Sequence, residues 1–108
     1  MRTIQLGSIA ALAACALPVR ADEAGDVHRG AVYAQKVCAE CHAVLPEGDV
    51  SPNSEAPPFR TVAETDGMSR RALVVWLQSS HPTMPNIMVE ANDRDDVVAY
   101  IMSLEEPR

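Results

Sequence analysis

Cys38-Ala39-Glu40-Cys41-His42 is the stretch of this chain whose residue types and spacing could do chemistry. Thiols three positions apart on a helical turn lie on nearly one face, and an imidazole directly follows the second of them. Each thiol can add across one vinyl group of a porphyrin, making two thioether links. The links fix where the next side chain can go, and so deliver His42 to one axial position of the iron. Covalent attachment of a c-type haem is the chemistry this spacing signals. The ligand opposite the histidine then decides between electron transfer and reaction.

Other uses of two thiols fit less well. A zinc site needs four ligands, but the remaining cysteine, Cys15, lies in an apparent leader segment, and His28 and His81 show no paired spacing. A thioredoxin-like dithiol needs a βαβ context, and no β-rich run is present. A plain disulfide suits an exported protein but leaves His42 without a role.

The second axial ligand must come from downstream, where His81, Met68, Met84, Met88 and Met102 are available. Met68 and Met102 sit on or beside helical segments and read as packing residues. Met84 lies between Pro82 and Pro85, which fix backbone dihedrals on either side of it. A stiffened strap presents a thioether with little ordering entropy left to lose, so Met84 is the first choice, with His81 and Met88 as alternatives. Methionine opposite histidine raises the reduction potential and fills the sixth position, which favours electron transfer.

The elements that position these groups read as helices. Asp26 can cap a first helix in which Val27, Ala31, Ala34, Val37 and Cys38 recur at helical spacing. Gly30 inside it is either a weak position or a place where another backbone crosses closely. Residues 45–58 hold four prolines and read as an irregular loop wrapped over a cofactor edge. Phe59 to Glu64 can form a short helical turn. Ser69 caps a further helix, with Met68 and Leu73 as a hydrophobic staple and Leu73, Trp76 and Leu77 as its apolar face. That helix ends before Pro82. The last helix is expected to start at Asn92 or Asp93, with Asp95 and Asp96 in its first turn, and to bury Val97, Val98, Tyr100, Ile101 and Leu104. The class is all-α.

The first residues resemble an export signal. Arg2 is followed by an apolar run from Ile4 to Leu17, and Val19-Arg20-Ala21 offers a small-residue cleavage site. The division expected is a signal peptide over 1–21 and one domain over 22–108. The apolar run is too short for a transmembrane anchor. Leu12-Ala13-Ala14-Cys15 competes as a lipoprotein box with a lipid on Cys15. Either way the domain lies outside the cytoplasm, in the periplasm if soluble. Cleavage after Ala21 leaves 87 residues with seven basic and 15 acidic side chains, a formal charge of −8. That sign argues against nucleic acid and anionic lipid as partners and suits a basic docking face on a partner. So short a chain buries a small core, and a covalently held porphyrin would supply the missing apolar volume.

With CAECH at 38–42, Pro-Thr-Met-Pro at 82–85 and Val-Val-Ala-Tyr-Ile-Met-Ser-Leu at 97–104, the chain resembles the class I c-type cytochromes, most closely small bacterial monohaem members. The resemblance implies a cytochrome c-like fold of three main helices wrapped around one haem c held by Cys38 and Cys41. It implies that Gly30 packs against Tyr100 where the first and last helices cross. It also implies that a proline carbonyl, here Pro57 in Ala56-Pro57-Pro58-Phe59, accepts a hydrogen bond from the far nitrogen of His42. The family's usual glycine before that proline is Ala56 in this chain. Trp76 is either the indole that reaches a haem propionate or a core aromatic.

The function expected is a periplasmic carrier of single electrons between redox proteins, not an enzyme, acting as a monomer through a haem edge rimmed by Ala39, Ala43 and Pro85. Two rivals remain: a peroxidase-like enzyme or ligand sensor with an open iron site, and a dedicated cytochrome subunit of a periplasmic dehydrogenase or terminal oxidase.

Overall fold

Asp26 begins the folded part in extended geometry (φ −116°, ψ 122°), and its side chain accepts the Arg29 N–H at 2.8 Å, capping helix α1, Val27–Tyr33. The computed structural model describes residues 7, 10–16, 24–79, 84 and 89–107. After Tyr33 the helix widens into a π-helical turn over Ala34–Cys38. The Ala39 N–H reaches back five residues to the Ala34 carbonyl at 2.9 Å, so one residue more than usual is held in each hydrogen-bonded ring. The Cys41 and His42 amides then both turn back on the Cys38 carbonyl, at 3.2 and 2.9 Å.

Beyond this turn the chain runs through irregular turns to Pro58, as the prolines require, and into the short helix α2, Phe59–Ala63. Ser69, again extended, accepts the Ala72 N–H and caps α3, Arg70–Gln78. The last helix, α4, is Ala91–Ser103. No strand occurs among the described residues, and the all-α expectation holds.

α4 is the floor on which the other helices rest. Val97, Val98, Tyr100, Ile101 and Leu104 are buried on it with Ala34, Val44, Phe59, Ala63 and Leu73. α1 crosses α4 at Gly30. A Cβ built there would lie 2.0 Å from the Asp96 carbonyl oxygen and 2.8 Å from Tyr100 Cβ, so only glycine lets the backbones meet. The crossing is fastened by charge as well. The buried Asp96 carboxylate accepts the Asp26 N–H at 2.7 Å, Arg29 Nε at 3.0 Å and Arg29 Nη2 at 3.3 Å. Gly25, at φ +91°, brings the chain flat against the Asp95 carbonyl, and Arg70 on α3 donates to the Ala24 carbonyl.

Three expectations need correction. α4 starts two residues early, with Glu90 as its cap and no side-chain capping bond. The Glu90 backbone is extended, and its carbonyl takes the Arg94 N–H at 2.8 Å, which fixes the start whatever the side chain does. Asp93 is therefore the acidic residue of the first turn, and Asp96 serves the α1 crossing instead of the helix dipole. Trp76 does not complete the apolar face of α3. Leu73 is buried and Leu77, one turn on, packs on the core, whereas Trp76 is 51% exposed and borders a shallow surface depression with Ala72, Val75 and Ser79. Val27 likewise points outward, leaving Ala31 and Ala34 to carry the inner side of α1.

The cleavage site at 19–21 and most of the His81–Met88 strap lie outside the described residues, including His81, Pro85 and Met88. Among the described residues, no helix is long and apolar enough to cross a membrane.

Candidate functional site

The π turn delivers Cys38 to the inner side of α1, where it packs against the core. Burial pushes its thiol up to about 11, so it is a neutral thiol at physiological pH. Cys41 is also half-buried, and neither sulfur is in a disulfide. No three His, Cys, Asp or Glu side chains converge on a metal-sized point among the described residues.

His42 is oriented by its neighbours. Its Nδ1 lies 2.6 Å from the Pro57 carbonyl oxygen. A carbonyl can only accept, so Nδ1 carries the proton and Nε2 is left with the free lone pair. Phe59 packs beside the ring, with centroids 5.3 Å apart and planes tilted by 54°, and Tyr100 stands 6.4 Å beyond Phe59.

The backbone around His42 is pinned residue by residue to the loop that follows. The Cys41 carbonyl accepts the Asn53 N–H at 3.1 Å, and the Ala43 carbonyl accepts the Phe59 N–H at 2.9 Å. The Ala43 N–H donates to Ser51 Oγ at 2.9 Å. The buried Tyr100 hydroxyl donates to the Val44 carbonyl at 2.5 Å. Burial, and then the Glu47 carboxylate, raise the Tyr100 pKa, which keeps the phenol a donor.

Ser51, Asn53 and the Tyr100 hydroxyl carry no mark in the sequence as parts of the site. Only the turn-forming composition of residues 45–58 hinted at their loop. Met84 forms a bend and is half-buried. Trp76 sits on the outward side of α3, half exposed.

Two half-buried thiols three positions apart, with an imidazole held in the tautomer that frees Nε2, are the donor set a c-type haem requires. They fit that group. The sequence pattern of the family described as "Cytochrome c" matches residues 27–105. The chain belongs to the cytochrome c family. The cytochrome is 35% identical, over 81 residues, to cytochrome c-552 of Bradyrhizobium diazoefficiens, an alignment covering 75% of this chain and 77% of that protein. No solved structure matches. The cofactor of the family is covalently bound haem c, and Cys38 and Cys41 stand at its attachment spacing. The class I assignment drawn from the resemblance and the all-α class read from the helical patterning are both correct.

Proposed function

We propose that this cytochrome is an exported carrier of single electrons. Cys38 and Cys41 would hold haem c through thioethers, and His42 Nε2 and the Met84 sulfur would ligate its iron. The observation that carries the reading is the 2.6 Å bond from His42 Nδ1 to the Pro57 carbonyl, which leaves the nitrogen suited to iron as the open one. Haem iron supplies a one-electron couple without moving heavy atoms. The residues of the chain would orient it and keep other small ligands from the iron. Pro57 raises the basicity of His42 by accepting its proton partway. The Trp76 indole is assigned to a haem propionate, and its half-exposed ring supports that role over core packing.

The signal over 1–21 sends the domain 22–108 to the periplasm, with a lipid on Cys15 as the other outcome of processing. Donor and acceptor are redox proteins that dock weakly and transiently at the haem edge.

Replacing Met84 with alanine tests the site. The variant is expected to keep its haem, lose the weak near-red methionine–iron absorption of the ferric protein, and take up carbon monoxide faster than the parent. An unaltered spectrum with no gain in carbon monoxide binding would overturn the axial assignment.

A further inference from the structure

Arg60 lies two residues beyond the Pro57-Pro58 stem. Its Nε donates to the Pro46 carbonyl at 2.6 Å, and its Nη1 reaches Glu106 at 2.6 Å and Glu64 at 3.5 Å. Glu106 first, and then Glu64, raise its pKa. The charge is therefore constant, and geometry alone matters.

One guanidinium thus joins three stretches: the start of the 45–58 loop, helix α2 and the chain's C-terminal tail. We propose that Arg60 is a positioning residue for the haem histidine, acting through the Pro57 carbonyl. The inference rests on the reading of His42 as an iron ligand.

The physical case begins with α2. It is five residues long, far too short to hold itself together by helix propensity, so its direction is set by what it touches. Phe59 and Ala63 fix its inner side in the core. Val62 packs beside them, and the Phe59 N–H ties the start of α2 to the Ala43 carbonyl; on the outer side, the fork of Arg60 ties the helix to the Pro46 carbonyl of the facing loop. Pro57 and Pro58 form a stiff stem into α2, since proline locks φ and restricts the residue before it. A shift of α2 on its outer side is therefore carried by that stem to the Pro57 carbonyl. The His42 ring feels that carbonyl directly, at 2.6 Å. Loss of the Pro46 bond should loosen the carbonyl, weaken the imidazole's basicity and shift the iron couple toward the reduced state.

The experiment uses the complete haem-loaded cytochrome and three variants, R60A, R60K and E106A. The readouts are hydrogen exchange at His42 Nδ1–H in the reduced protein, followed by NMR, and the reduction potential. R60A is expected to speed exchange about tenfold or more, the size that follows from losing one charge-assisted hydrogen bond, and to raise the potential. R60K keeps the charge opposite Glu106 but gives up the fork, so it should move both readouts in the same direction by less, and it carries the test if R60A does not accumulate. E106A leaves the Pro46 bond in place and should move neither.

A haem-loaded R60A or R60K protein with parental exchange and potential overturns the inference. So does an E106A protein that behaves like R60A, because the tail charge would then be at work in place of the loop. If the parent itself shows no iron-bound His42, the functional reading fails, and separately from this one.

Discussion

Asp96 shows how much one side chain can decide. It is buried on α4, yet its carboxylate takes three donors from the start of α1. The hydrogen bonds from Arg29 hold its pKa below the usual carboxylate range, against the opposing pull of burial. A depressed folded-state value means the stabilisation is present above the ordinary carboxylate range and is lost as pH falls through the folded value. D96N keeps the shape but loses the charge and leaves donors poorly matched. It is expected to lower stability at neutral pH by about 2 kcal/mol, and its thermal midpoint should depend less on pH below about 4 than the parent's. Denaturant unfolding at neutral and acid pH checks both. The sequence could not announce this role. Asp96 sits in a run of acidic residues near a helix start, where the dipole is the obvious local explanation, and its partners lie 67 and 70 residues away.

Between helices, the α1–α4 crossing is the joint on which the site depends. Gly30 costs α1 about 1 kcal/mol of helix propensity relative to alanine, and the contact with Asp96 and Tyr100 is what that concession allows. G30A is expected to destabilise by about 3 kcal/mol, because an overpacked backbone crossing outweighs the propensity gain. Chemical denaturation of the haem-loaded protein measures it. Local signals were enough for the caps at Asp26 and Ser69 and for the buried face of α4, since each is written within a few residues. The Gly30–Tyr100 pairing and the Pro57 carbonyl were legible only through the family resemblance. The π turn and the Glu90 start of α4 were not legible at all, because both are set by backbone bonds that residues of almost any type can make. Trp76 misled for a related reason: periodicity places an apolar residue on a helix, but it does not say which of two neighbouring faces the core will take.

Taken whole, the molecule has a thin protein core and a strongly negative surface. A chain this short has little apolar area to bury, so haem attachment and folding are expected to be coupled in it. With formal charge −6 over the full sequence, its encounters with a basic redox partner should be steered by long-range attraction. Association rates are expected to fall as salt rises through about 0.1 M, where the screening length is about 10 Å. Stopped-flow electron transfer at several ionic strengths tests this, and rates that hold steady would contradict it.

The widened turn at Ala34–Cys38 has a geometric corollary. The crossing at Gly30 fixes the azimuth of α1 against α4, so nothing upstream can re-aim the thiols. Each residue of a regular helix advances about 100° around the axis. The surplus residue is an angular shim: with it removed, the sulfurs and the imidazole would swing to another side of the cylinder, away from the proline carbonyl that receives the ring.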